Sequence, residues 1–119
     1  LLEDRNISIL NGAEELCAAA MLFGAQGSIP GLANFVPELF VSLYEACQKG
    51  EIEESYRLQK RIVEVRKVLQ VNGCWMSAMK YLLKFLDLGS DEVSFPLQKL
   101  NSEEQKKADG LMRQTEILR

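Results

Sequence analysis

The sequence predicts an α/β fold in which two short parallel strands alternate with helices and a further helical region follows. Three observations predict it. A β-branched run ends at Asn11-Gly12, a second very short strand pattern lies at Gly27-Ser28-Ile29, and each is followed at once by a helical pattern. Alternation with such short connections implies parallel strands joined by a right-handed crossover.

Ile7-Ser8-Ile9-Leu10 reads as a buried strand, ended by the tight turn of Asn11-Gly12. The next helix carries Glu14 and Glu15 in its first turn, where carboxylates meet the positive end of the dipole. It stays alanine-rich and apolar from Leu16 to Phe23 until Gly24 stops it. After the second strand, Pro30-Gly31-Leu32-Ala33-Asn34 is a loop leading to Pro37, where proline opens a helix at no hydrogen-bond cost. That helix runs to Lys49 and closes at Gly50.

From Glu51 to about Val71 the apolar residues Leu58, Ile62, Val65 and Leu69 recur at helical spacing with charges opposite, which predicts one long amphipathic helix. Trp75 to Leu88 predicts another, with Met76, Met79, Leu82, Leu83 and Phe85 among Lys80 and Lys84, ended by Gly89. Ser90 to Leu100 is an irregular connector containing Pro96. Asn101 or Ser102 caps a last helix with Glu103 and Glu104 in its first turn and Gly110 weakening its middle. The division expected is residues 1–49 for the two βα units and 50–119 for the helical region.

Composition bounds the function. With 47% hydrophobic and 26% charged residues the chain has the make-up of one soluble globular unit. A formal charge of -3, with both signs interspersed, provides no basic stripe for nucleic acid. The apolar runs Cys17–Phe23 and Phe35–Tyr44 are broken too early to span a bilayer, so no membrane partner is expected. The chain starts on Leu1-Leu2-Glu3-Asp4-Arg5, with neither an initiator methionine nor a signal-peptide pattern, and a preceding segment is the expectation. Cys17, Cys47 and Cys74 lie far apart in apolar or helical settings and read as structural thiols of a reducing compartment, the cytoplasm. The absence of histidine removes the Ser/His and Cys/His nucleophile systems and the commonest zinc ligand.

Two parallel strands alone leave open edges, so these units suit the end of a larger parallel sheet or barrel; a complete (β/α)8 barrel takes about 250 residues. The residues Asn11-Gly12-Ala13-Glu14-Glu15, Phe23-Gly24-Ala25-Gln26-Gly27-Ser28-Ile29 and Leu32-Ala33-Asn34-Phe35-Val36-Pro37-Glu38-Leu39 stand in an order and spacing that resembles one family. It is that of dihydrodipicolinate synthase and N-acetylneuraminate lyase, the pyruvate-dependent class I aldolases. The resemblance continues through Leu43-Tyr44-Glu45-Ala46 and Gly50-Glu51-Ile52-Glu53-Glu54-Ser55 into Leu58-Gln59, fades in the last fifty residues, and returns at Phe95-Pro96-Leu97-Gln98-Lys99-Leu100.

The resemblance implies the last two βα units of a (β/α)8 TIM barrel followed by a C-terminal helical extension. It implies a lyase in which a lysine condenses with the keto group of pyruvate, the imine then stabilising a carbanion at the adjacent carbon. The partner substrate is an aldehyde or a 2-keto sugar acid. In the family that lysine lies near the end of the sixth strand, a proton-relaying tyrosine on the fifth and a carboxylate-binding hydroxyl pair after the second. No catalytic residue is therefore assigned in this chain, nor any metal or cofactor. Two substrate-binding positions are implied, Gly12 at the end of the seventh strand and Ile29 at the end of the eighth, both acting through backbone. Glu14 and Glu15 stand where sialic-acid-cleaving members bind the polyol tail, although Pro30 and Gly31 replace those members' glycine and serine.

Ordinary structural roles compete with each of these: a turn glycine, a barrel-core isoleucine, a helix-start preference for glutamate. Tyr44, Tyr56 and Tyr81 read as packing residues, and Lys80 and Lys84 as solvated. Other functions compete as well, a non-catalytic helical association module and a self-contained small α/β binding domain. Open strand edges, with the Leu58, Ile62, Val65 and Leu69 face uncovered, predict association with the missing N-terminal barrel part or with a second copy, as in a homo-oligomer.

Overall fold

The computed structural model describes residues 7–116. Its regular elements are β1 (Leu10–Asn11), α1 (Cys17–Leu22), β2 (Gly27–Ser28), α2 (Pro37–Lys49), α3 (Ile52–Arg66), α4 (Trp75–Lys84) and α5 (Ser102–Gln114), with 3₁₀ turns at Glu14–Leu16, Gly31–Asn34 and Lys67–Gln70. The described residues fall into two compact units, one ending at Ile62 and the other beginning at Val63. This packing boundary lies inside α3, whereas the boundary read from sequence at Lys49 falls between α2 and α3.

In the first unit β1 and β2 pair in parallel, Leu10 opposite Gly27 and Asn11 opposite Ser28. The ladder is longer than the strands: Gln26 N–H donates to the Ile9 carbonyl at 2.9 Å and Ile29 N–H to the Asn11 carbonyl at 2.8 Å. The strand expected over Ile7–Leu10 is thus displaced toward its C-terminal end. Nor is it buried, since Ile7, Ile9 and Leu10 are all exposed, Leu10 by 52%. A parallel strand is buried by layers on both faces, and the described residues do not cover these side chains.

α1 packs on α2 and β2, and α2 on the 31–34 turn. Cys17, Met21, Leu32, Phe40, Leu43 and Ile62 are buried in this unit. α2 matches its sequence signals at both ends, with Pro37 at the first turn and Gly50 left-handed at φ 71°, where a side chain would be strained. The residues 30–34, read as a loop, instead close a 3₁₀ turn after Pro30.

The second unit is helical. The single helix expected over 51–71 ends as α-helix at Arg66 and tightens into the 67–70 turn, against which α4 and α5 pack. The helix expected over 75–88 stops at Lys84, followed by turns in which Asp87 has φ 53° and Gly89 φ 136°. α5 begins as its sequence indicates: the Asn101 side chain accepts from Glu103 N–H and Glu104 N–H, and the Glu104 carboxylate accepts from Asn101 N–H, a complete capping box. Gly110 sits inside α5 without interrupting it.

One expectation is overturned. Leu58 and Ile62, in the first unit, and Val65 and Leu69, in the second, are buried rather than left as an uncovered face. Tyr81 packs as expected, edge-on to Phe85 with ring centres 5.2 Å apart. Tyr44 and Tyr56 do not, being exposed on their helices.

Candidate functional site

A parallel strand directs its carboxyl end toward the loop that leads into the next helix, and in sheets and barrels of this type those loops form the ligand face. Here the two loops are 12–16 and 29–36. β1 ends at Asn11, whose side chain folds back on its own loop: its amide donates to the Ala13 carbonyl at 2.7 Å, and its oxygen accepts from Ala13 N–H at 3.3 Å. Gly12 lies at the bend between them, exposed. Its φ is outside the left-handed region, and a Cβ built on it meets no atom within 4 Å. The turn itself therefore does not require glycine.

Ile29 leaves β2 alongside. Its N–H is committed to the Asn11 carbonyl, so only its carbonyl and side chain remain to face a ligand, and the side chain is 69% exposed. Gly12 and Ile29 are thus brought to the same end of the two paired strands.

Glu14 and Glu15 begin the 3₁₀ turn that leads into α1. Glu14 is half-buried and reaches across to the other loop, its carboxylate accepting from Leu32 N–H at 3.2 Å. Glu15 is exposed. The four residues named for the site on sequence are therefore neighbours in one loop pair, with Glu14 turned toward the chain after β2.

Gln59 of α3 holds the same region from the other side. Its oxygen accepts from Ala18 N–H at 2.8 Å and its amide donates to the Glu14 carbonyl at 2.8 Å. An amide in the first turn of a helix has no acceptor within the helix, and neither α1 nor the 31–34 turn is capped by its own preceding side chain. Gln59 serves the first and Glu14 the second. Cys17 sits beneath, fully buried, its sulfur 3.4 Å from the Ala13 carbonyl. Burial pushes its thiol up, helped by the charges of Glu14 and Glu15, while hydrogen bonds from Ser28 and Asn11 act the other way. At neutral pH it stays protonated and unreactive.

The Glu14 and Gln59 contacts join residues far apart in sequence, and nothing in periodicity or spacing names them. One signal was present: proline at position 30 offers no side-chain acceptor, so the turn that follows must borrow a cap.

The lysines and remaining tyrosines lie elsewhere. Lys49, Lys60, Lys80, Lys84, Lys106 and Lys107 are on helices, Lys67 is in the turn after α3 and Lys99 in the connector. Lys84 pairs with Asp91 at 3.3 Å and Lys99 with Asp91 at 3.4 Å and with Glu92. A surface hollow of about 590 Å³ is lined by Gly50, Glu51, Ile52, Glu53, Glu54 and Arg57, but its one cation, Arg57, is already paired with Glu54 at 2.5 Å. Among the described residues no helix is long and apolar enough to cross a membrane.

Comparison with known proteins gives a consistent result. The family model described as the dihydrodipicolinate synthetase family matches residues 2–115. N-acetylneuraminate lyase of Rhizobium meliloti is 37% identical over 92 residues, covering 77% of this chain and 30% of that protein. 4-Hydroxy-tetrahydrodipicolinate synthase of Pelodictyon phaeoclathratiforme is 32% identical over 107 residues, covering 87% of this chain and 35% of that one. Among solved structures, dihydrodipicolinate synthase of Bacteroides thetaiotaomicron superposes with a TM-score of 0.88 at 32% identity, over 95% of this chain and 40% of the other. A Sulfolobus solfataricus 2-keto-3-deoxygluconate aldolase variant shares the fold, with a TM-score of 0.83 at 21% identity, over 95% of this chain and 39% of that one. The chain spans about a third of the length of the curated relatives it matches.

Proposed function

Since the chain belongs to the dihydrodipicolinate synthetase family, we propose that the protein carrying it is a lyase of the class I aldolase type. In this reading the chain supplies the last two βα units of a (β/α)8 TIM barrel and the helical extension after them. The family match over almost the whole chain carries the proposal, and the paired strand ends at Gly12 and Ile29 are the geometry that accords with it.

The chemistry is imine formation on pyruvate. A lysine amine displaces the keto oxygen as water, and the protonated imine then accepts the electron pair released when a carbon–carbon bond breaks, or stabilises the carbanion that attacks an aldehyde. The lysine is placed outside this chain, because no lysine here follows β1 or β2. Gly12 and Ile29 are assigned to the wall of the pyruvate pocket, and the second substrate is an aldehyde or a 2-keto sugar acid. The uncovered side chains of Ile7, Ile9 and Leu10 favour association with the rest of the barrel, and the protein is taken to be a cytoplasmic homo-oligomer.

Borohydride reduction in the presence of pyruvate tests the reading. The complete protein should gain one pyruvate-derived adduct and this chain alone none. An adduct on any lysine of the isolated chain, or none on the complete protein, overturns it. In the complete enzyme Gly12→Val should lower kcat/KM for pyruvate at least about tenfold by intruding where the ligand approaches backbone. Its melting temperature, measured alongside, separates a lost ligand contact from a loss of folding. Unchanged kcat/KM in the folded variant removes Gly12 from the site.

A further inference from the structure

We propose that Glu14 is a positioning residue for the pocket: by capping the chain after β2 it fixes the Ile29–Leu32 segment against the Gly12 loop, rather than serving as a ligand for a sugar tail. The inference rests on the lyase reading and changes the role that family resemblance gives to Glu14.

The first amides of the 31–34 turn have no acceptor inside the turn. Pro30, at its cap position, has neither an N–H nor a polar side chain, and no side chain caps the turn locally. Leu32 is completely buried, so its N–H has no access to bulk water and needs a protein acceptor. The Glu14 carboxylate supplies it from the other βα unit at 3.2 Å. A charged acceptor makes the stronger kind of hydrogen bond, and it also suits the amide-rich start of a turn.

Glu14 is itself held. The Gln59 amide donates to its carbonyl at 2.8 Å, and the Gln59 oxygen accepts from Ala18 N–H. The carboxylate is therefore presented from a backbone fixed by α3, and one of its oxygens is spent on Leu32. A sugar hydroxyl donating to that oxygen would compete with an amide that has no alternative partner in water. Both faces of the pocket that the lyase reading assigns, Gly12 on one loop and Ile29 on the other, lie within a few residues of the two ends of this one bond.

The test uses the complete enzyme with Glu14→Ala and Glu14→Gln, the latter keeping an oxygen that can accept from Leu32 N–H. Loss of a charge-assisted hydrogen bond is worth about tenfold or more in the opening equilibrium of the segment. Hydrogen exchange in peptides spanning 29–35 should therefore quicken by about that factor in Glu14→Ala and be largely restored in Glu14→Gln. KM for pyruvate should rise in parallel, to the same extent whether the second substrate is a short aldehyde or a long polyhydroxylated one. If only the long substrate is affected and pyruvate KM is unchanged, Glu14 is a polyol ligand and the proposal falls. It falls too if exchange in an active enzyme is unaltered. A wild-type protein that traps no pyruvate removes the lyase reading and the kinetic half of the inference with it; exchange at 29–35 still reports whether Glu14 holds the turn.

Discussion

The two units of the chain are held together in opposite ways. The helical unit satisfies itself: Val65, Val68, Leu82, Ala108 and Met112 form its core, Tyr81 donates to Asp109 at 2.8 Å, and α5 carries its own capping box. The strand unit relies on long-range caps within itself, Gln59 serving the start of α1 and Glu14 the 31–34 turn, and it leaves Ile9 and Leu10 exposed. A helix end whose cap is a neighbouring residue closes by itself, whereas one capped from 18 or 41 positions away closes only when its unit folds.

Substitutions can break or sharpen this contrast, read by the fluorescence of Trp75, the only tryptophan, during unfolding. The largest effect should come from Leu82→Ala, which opens a cavity at a fully buried site and should cost about 3 kcal/mol. A loss under 1 kcal/mol would mean that the helical unit is not the self-sufficient one.

Tyr81→Phe comes next. Burial, with the Asp109 hydrogen bond and charge adding to it, pushes the Tyr81 hydroxyl up to about 12 from an ordinary value of 10. A group whose folded value lies above its unfolded one stabilises the fold fully below the unfolded value and loses that contribution as pH climbs through the folded one. Stability should hence fall between pH 10 and pH 12 in the wild type, and this step should vanish in Tyr81→Phe. Near pH 7 the same substitution should cost about 1–2 kcal/mol by leaving the Asp109 carboxylate without its donor. A wild-type profile flat over the alkaline range would refute the assignment.

Asn101→Ala removes the capping oxygen shared by two amides and should cost about 1 kcal/mol. At the bottom of the scale, Leu10→Ala, at a side chain 52% exposed, should stay within about 0.5 kcal/mol in this chain. The same substitution measured in the complete protein should cost distinctly more, and equal costs in both would show that β1 is uncovered there as well.

Legibility in the sequence followed local chemistry and cut across the two units. α2 and α5 could be read because their ends are written in local chemistry: Pro37 and Gly50 for one, Asn101 and Glu104 for the other. β1 was displaced because a single parallel ladder sets its register through the partner strand, and Ile7–Leu10 satisfies a strand pattern wherever pairing starts. The helix read to Val71 stops at Arg66 because no glycine or proline marks the change to a 3₁₀ turn. Gly12 and Ile29 were singled out by family resemblance; composition and periodicity say nothing about them. The Leu32–Glu14 and Gln59 contacts link partners 18, 41 and 45 positions apart, and only the folded chain brings those together.

Cys17 offers an internal clock for the strand unit. Its thiol is sealed from solvent and its deprotonation is discouraged by the same burial, while Cys47 and Cys74 are partly open and Ser77, donating to its sulfur at 3.3 Å, holds the Cys74 thiol below its usual range. An alkylating reagent thus meets Cys74 in the closed molecule and Cys17 only when the floor beneath β1 and β2 comes apart. The lag between the two modifications is a direct reading of how often the packing of α1 against β2 opens.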